Sequence, residues 1–377
     1  MKCTLSDFDY ALPKELIAAF PPQDRPSARL LHVDRTTGKF SHHVFRDIKN
    51  FMNPGDVLVL NNTKVIPARL FGKKLTGGKV EALLLKQISE DRWQSLLRPG
   101  GRIRKGMMLE FGENGLRLQA EVLDDATPNS GERQIRFQKG TGSRNLSPSV
   151  GEILEKIGHI PLPPYIDRAD TEIDREMYQT VFAEKEGAVA SPTAGLHFDE
   201  ALLNDLKNHG VEIVYVTLHT SYGTFQPVTE EDLSKHQMFS EDFEITEQAA
   251  AQVNKALKEN RRIIACGTTV VRTLESVAKH KVPGPSDPPK GPGTLCRSKD
   301  PGPGTLVPMK GNTRLFIYPP YKFKIVSGMI TNFHLPKSSL LLLVAALLGR
   351  EKMFDAYAEA IRQSYRFYSY GDAMVIL

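Results

Sequence analysis

Apolar and polar positions along this chain follow two different periods. From about Leu70 to Gln138, short runs alternate at period two: Val80 to Leu85, Trp93 to Leu97, Met107 to Phe111, Leu116 to Leu123 and Gln134 to Phe137. Glycine-rich turns separate them at Gly77-Gly78, Gly100-Gly101 and Gly112 to Gly115, and no long helical pattern intervenes. Side chains of a strand alternate between its two faces, so this spacing predicts a small antiparallel barrel.

On either side the texture differs. Arg29 to Asp34 and Phe40 to Phe45 flank Thr36-Thr37-Gly38, a hairpin pattern, and Pro54-Gly55-Asp56 turns into the buried strand Val57 to Leu60. Beyond Val150, strands and helices alternate. Ala188 to Ala190 is a short strand, and Phe198 to His209 is a helix stopped by Gly210. Val211 to Leu218 is a β-branched strand, Glu247 to Glu259 a helix and Arg262 to Cys266 a strand, with Thr268 or Thr269 placed to cap the next helix. Gly328 to Phe333 (strand), Ser338 to Leu348 and Glu351 to Ser364 (helices) and Ala373 to Leu377 (strand) complete the series. This alternation predicts an α/β domain with a mostly parallel sheet covered by helices. The expected domains are an α/β body of residues 1–69 and 150–377 and an inserted antiparallel β-barrel of residues 70–149. Residues 282–310, with eight prolines, five glycines and the repeat Gly291 to Leu295 and Gly302 to Leu306, read as a flexible surface insertion in the body.

Composition narrows the class. The chain has 377 residues, 40% hydrophobic and 25% charged, as in an ordinary soluble protein of two or three domains. Its most apolar run, Leu340 to Leu348, is far short of the ~20 residues that span a bilayer. The N-terminus lacks the apolar run of a signal peptide, and the three cysteines form no close pair, so a reduced, cytoplasmic setting is expected and no metal site is. The net charge of +5 permits an anionic partner. Charge is concentrated in the barrel: between Arg69 and Lys105 stand ten cations (69, 73, 74, 79, 86, 92, 98, 102, 104 and 105) against three acids (81, 90 and 91). That face is either solvated or a phosphate-contacting surface.

Ligands on open α/β sheets sit beyond the carboxyl ends of strands. Four polar segments fall there: Ser191 to Phe198, Thr217 to Phe225, Gly267 to Glu275 and Thr331 to Ser338. They hold the acid–base candidates His197, His219 and His334, with Asp372 and Glu241 as further carboxylates. The substrate-binding candidates are Arg69, Thr193, Gly195, Thr224, Thr268, Thr269, Arg272, Asn332, Lys337 and Tyr370. The chain has no glycine-rich dinucleotide fingerprint, P-loop or serine-nucleophile elbow.

The same segments, with Leu5 to Tyr10, Val65 to Arg69, Pro161 to Ile166, Tyr178 to Val181 and Tyr365 to Met374, resemble the S-adenosylmethionine:tRNA ribosyltransferase-isomerase family of queuosine biosynthesis. The resemblance runs nearly end to end. It implies an α/β domain carrying an inserted β-barrel. It also implies transfer and isomerisation of the ribosyl group of S-adenosylmethionine onto 7-aminomethyl-7-deazaguanine at the tRNA wobble position, giving epoxyqueuosine in tRNA and releasing adenine and methionine. S-adenosylmethionine is then a substrate, and no cofactor is expected; the partners are that tRNA and S-adenosylmethionine, with no membrane, and the protein is a monomer. Three departures stand out. The family's Asn-Asp-Thr-Arg is Asn61-Asn62-Thr63-Lys64 here, its Val-Gly after the histidine is Thr220-Ser221, and its usual histidine is Phe239.

The sulfonium acidifies the adjacent ribose C5′ protons. The reaction therefore needs a base near C5′, a donor to the departing adenine, and a wall that tolerates the sulfonium, for which Phe333 and Tyr370 are aromatic candidates. Two other readings remain at this stage: an S-adenosylmethionine-dependent RNA methyltransferase, and a non-catalytic RNA-binding module built on the barrel.

Overall fold

The computed structural model describes residues 3–112, 116–127, 131–138, 149–225, 227–279 and 305–377. The chain opens with the hairpin β1 (Arg29–Val33) and β2 (Phe40–Val44), then β3 (Val57–Asn61) and the short β4 (Thr63–Val65). Six strands follow: β5 (Arg69–Lys74), β6 (Lys79–Gln87), β7 (Arg92–Arg98), β8 (Met108–Phe111), β9 (Leu118–Val122) and β10 (Glu132–Phe137). They close as a barrel in the order β10-β7-β6-β5-β8-β9, every pairing antiparallel. The alternation read from the sequence is the cause: Val80, Ala82 and Leu84 point into the barrel core with Leu109, Phe111, Ile135 and Phe137. Helix α1 (Val150–Ile157), capped by Ser149, lays Val150, Ile153 and Leu154 on that core.

The body contains α2 (Glu172–Met177), β11 (Lys185–Ala188), α3 (Glu200–Asn208), β12 (Glu212–Leu218), β13 (Glu241–Ile245), α4 (Glu247–Lys258), β14 (Ile263–Cys266) and α5 (Thr268–Lys279). After residue 304 come β15 (Met309–Thr313), β16 (Gly328–Asn332), α6 (Ser339–Leu348), α7 (Arg350–Arg362) and β17 (Ala373–Ile376). Nine strands form one sheet in the order β15-β13-β12-β3-β14-β16-β17-β1-β2. The run β12-β3-β14-β16 is parallel, as is β17-β1, whereas β13, β15 and β2 pair antiparallel and β16 meets β17 antiparallel. The helix-covered sheet is thus parallel at its centre and antiparallel towards its edges. Strand β3 shows the burial: Val57 and Val59 enter the core under α4 to α7, and Leu58 and Leu60 the opposite core under α3. The apolar run Leu340 to Leu348 is the buried helix α6, and no described helix is long and apolar enough to cross a membrane.

Two expectations change. Neither Thr268 nor Thr269 caps α5, because both already lie in its first turn behind Gly267. The end of the expected 282–310 insertion is also ordered into the body. Leu306 is buried against α4, where Asn254 bonds its backbone at 2.8 Å in both directions, and Met309 and Lys310 belong to β15. The rest of that segment, residues 282–304, lies outside the described residues.

Candidate active site

The carboxyl ends of β3, β12, β14 and β16 point the same way, and the polar segments following them converge with the loop after β11. They enclose a cavity of about 80 Å³. Ser191 and Thr193 come from the β11 side, Thr220 and Thr224 from the loop after β12, Thr268 and Thr269 from the start of α5. Thr331, Asn332, His334 and Ser338 come from β16 and its loop, and Tyr165 and Tyr368 complete the wall. Among the described residues no charged side chain lines it. The hydroxyls of Ser191, Thr220, Thr269 and Tyr368 are all buried without a hydrogen-bond partner. A buried polar group left unpaired costs about 1–3 kcal/mol, so four together mark a place built for a polar ligand. Tyr368 also holds φ at +73°, a left-handed backbone that is rare for a bulky residue and concentrates at functional sites.

Asn332 organises the floor. Its side chain accepts from Thr193 Oγ1 at 2.9 Å and donates to His197 Nε2 at 3.1 Å. His197 is packed against Phe45 behind this floor, with its ring centre 4.9 Å away, and does not line the cavity. Burial, helped by the positive charges of Arg366 and Arg25, pushes its pKa down to about 3. His334 does line the cavity; its Nε2 sits 2.7 Å from Thr331 Oγ1, and burial alone pushes it to about 3. Both imidazoles are therefore neutral at physiological pH.

A second, much larger space of about 1200 Å³ lies between the barrel and the body. Its walls are charged: Lys86 and Glu132 from the barrel, Glu152 and Glu155 from α1, and Lys64, Glu186, Glu241, Asp242 and Arg314 from the body. Lys86 reaches across it to Asp242 at 2.5 Å, and Arg98 of β7 reaches the Tyr222 hydroxyl at 3.3 Å. His219 and Thr220 stand in its wall, and Thr220 also lines the small cavity. The His219 Nδ1 lies 2.8 Å from Thr63 Oγ1. The Thr63 hydroxyl also stands 3.5 Å from the Lys185 carbonyl; with its proton directed there it accepts from Nδ1, the tautomer that leaves a lone pair on Nε2. Burial lowers the pKa of His219, against the opposing pull of Asp242 and Glu244. Gly187, at φ +141°, lets β11 approach this ring; a Cβ there would lie 3.0 Å from Nδ1.

The remaining candidates lie elsewhere. Arg272 is buried, ion-paired to Glu241 and bonded to the Leu315 carbonyl at 3.0 Å, with Nη2 unpartnered. Glu241 also accepts from the Ser221 amide at 2.9 Å, so this pair props the loop that carries Thr220 and Thr224. Asp372 accepts the amides of Arg29 (2.9 Å) and Arg366 (2.7 Å), which ties the last strand to the first. Tyr370 donates to Asp174 at 2.7 Å, Gly195 packs on Phe182 and Thr180, and Lys337 pairs with Asp9 at 2.6 Å. Arg69 belongs to the barrel wall, 3.4 Å from Glu81 and 3.2 Å from the Leu162 carbonyl. Phe333 is enclosed by Tyr357, Tyr365 and Phe367, so the aromatic wall of the cavity is Tyr165 and Tyr368 instead. Ser191, Thr220 and Tyr368 were not among the substrate-binding candidates; position at a strand end marked the first two, Thr220 also as a departure from the family, and nothing local marked Tyr368.

The departures fit their surroundings. Asn62 donates to Glu184 at 2.9 Å and accepts from Thr217 at 2.7 Å; an Asp there would face the Glu184 carboxylate without a donor. Lys64 pairs with Glu186 at 2.9 Å, and Phe239 lines the large cleft. Among the described residues no group of three or more His, Cys, Asp or Glu is gathered as metal ligands would be.

A family model described as "Queuosine biosynthesis protein" matches residues 5–376. A relative from Clostridioides difficile called S-adenosylmethionine:tRNA ribosyltransferase-isomerase is 46% identical over 372 residues, 98% of either chain. Another so called, from Desulforamulus reducens, is 44% identical over 374 residues, 99% of either chain. A crystal structure of S-adenosylmethionine tRNA ribosyltransferase from Thermotoga maritima is 33% identical and superposes with a TM-score of 0.52, covering 98% of this chain and 100% of that one. With full-length matches to family model, relatives and fold alike, this chain belongs to the queuosine biosynthesis protein family.

Proposed function

We propose that the chain transfers and isomerises the ribosyl group of S-adenosylmethionine onto 7-aminomethyl-7-deazaguanine at the tRNA wobble position, releasing adenine and methionine. The full-length relatives named for this activity support it, and none of those reported is named for methyl transfer. The structural observation that carries it is the meeting of two unlike cavities at Thr220. A cavity of about 80 Å³ is well below the ~300 Å³ of a drug-sized ligand site, so one end of S-adenosylmethionine enters it and the ribose stays at its mouth. The cleft is wide enough to receive a base turned out of the anticodon loop, as RNA-reading proteins commonly require.

His219 Nε2, with its lone pair directed by Thr63, takes the acidified C5′ proton, and adenine departs as the sugar ring opens. A neutral His334 holds a donor and an acceptor in the wall of the small cavity and orients the end of S-adenosylmethionine that enters it. Exposed Arg102, Arg104 and Lys105, on the turn between β7 and β8, hold the tRNA backbone. No cofactor takes part, because the sulfonium itself supplies the activation.

The test is chromatography of the products. Free adenine is expected only when tRNA bearing the aminomethyl-deazaguanine is present. S-adenosylhomocysteine in its place would defeat this reading.

A further inference from the structure

Several polar groups around the small cavity have a proton to donate. Helix α5, 12 residues long, starts at its edge with Thr268 and Thr269. The residue before it is Gly267, at φ +87°, with no side chain to cap the helix. First-turn amides have no partner inside a helix and carry the positive end of its dipole. A second and independent observation coincides with this one. The hydroxyls of Ser191, Thr220, Thr269 and Tyr368 line the same space, are at least nine-tenths buried, and have no partner. Among the described residues no Lys, Arg, Asp or Glu joins them. An anion entering here meets donors on several sides and no carboxylate to repel it. An isolated cation would meet the wrong end of the dipole, so an α-ammonium carried beside the anion must turn to the hydroxyl and amide oxygens of the wall.

S-adenosylmethionine has one anionic group, the carboxylate of its methionyl end. We propose that this carboxylate binds at the amino end of α5, held by the first-turn amides and by the Thr269 and Ser191 hydroxyls. The inference rests on the ribosyl-transfer reading and adds the direction in which the substrate lies. With the carboxylate innermost, the sulfonium and C5′ come to the mouth at Thr220, where His219 and the cleft begin. The methionyl end is then buried and the transferred carbon faces the RNA.

The test is a set of four calorimetric titrations without tRNA, so that no RNA phosphate takes part. Wild type and Thr269→Val are each titrated with S-adenosylmethionine and with its decarboxylated analogue. Thr269→Val is expected to weaken S-adenosylmethionine about tenfold, the loss of one hydrogen bond to a charged group. It is expected to leave the decarboxylated analogue, already the weaker ligand, nearly unchanged. Equal weakening of both ligands would overturn the assignment, as would an analogue that binds wild type as tightly as S-adenosylmethionine. If wild type binds S-adenosylmethionine but the cycle is additive, the orientation fails and the ribosyl-transfer reading stands. If wild type binds neither ligand even beside tRNA that lacks the aminomethyl-deazaguanine, that reading fails with it. Should Thr269→Val not fold, Ser191→Ala runs the same cycle.

Discussion

The small cavity is neutral, buried and walled by hydroxyls, whereas the cleft beside it is wide, open to the barrel and walled by ion pairs. They are a residue apart, with Thr220 in both and His219 in the cleft wall. The difference teaches how one fold serves two substrates of very different size. On the proposed reading, a small zwitterion is held by directional hydrogen bonds out of reach of salt, a polyanion is held by surface charge that salt screens, and the chemistry takes place where the two meet.

The largest effect is expected at that meeting point. His219→Ala should lower the single-turnover rate by about 10²–10⁴-fold, the usual contribution of a general base. Calorimetric affinity for S-adenosylmethionine should hold, since the imidazole stands in the cleft wall. A fall of less than about threefold would move the base elsewhere.

The second contrast is salt. With about four phosphates neutralised by the barrel, tRNA affinity should fall with a log–log slope of about −3, and S-adenosylmethionine affinity should stay nearly flat. Changing Arg102, Arg104 and Lys105 to Ala in pairs should weaken tRNA binding and flatten its slope without touching the small ligand. If the tRNA slope survives those changes, the barrel is structural and the RNA docks on another face.

The barrel was the more legible region, and the reason is physical. Its strands bury one face and expose the other, so the period of two is written into Val80 to Leu85 and Gln134 to Phe137. The central strands of the body were legible as continuous apolar runs. Its β13 and β15 were not, because Glu241, Asp242, Lys310 and Asn312 carry polar side chains into strands made by long-range pairing alone. The site was half legible. The segments that form it were found at strand ends, and His334, Thr193, Thr224, Thr268, Thr269 and Asn332 do meet at the small cavity. Asp372, Tyr370 and Lys337 also stand in segments with a functional pattern, but tertiary contacts use their chemistry for backbone amides, a buried carboxylate and an ion pair. Tyr368 was invisible because only its left-handed backbone and its lack of a partner mark it.

A smaller effect tests the neutrality of the floor. His197 and His334 are held at pKa values of about 3, below the ~6.5 of an unfolded histidine. Below pH 6.5 the unfolded chain takes up protons that the folded chain refuses, so their contribution is complete above that pH and is lost as pH falls towards 3. Each should cost roughly 1.4 kcal/mol per pH unit in that window. Chemical denaturation between pH 7 and 5 should show this slope, and His334→Gln should remove part of it. A flat profile would mean that these rings accept protons in place. Smallest of all, replacing residues 282–304 by a short Gly/Ser link should leave turnover within about twofold, since the closure entropy of a chain segment changes only slowly with its length. The linkage must stop before Leu306, whose burial makes the following residues part of the body. EDTA should likewise leave turnover intact, and a loss restored by one particular metal would reveal a missed site.

The most direct measurement of the central claim uses S-adenosylmethionine labelled in turn on the ribosyl carbons and on the methyl group, with tRNA bearing the aminomethyl-deazaguanine. The ribosyl label is expected in the tRNA and the methyl label in free methionine. Methyl label in the tRNA, with the ribosyl label left on S-adenosylhomocysteine, would contradict the account.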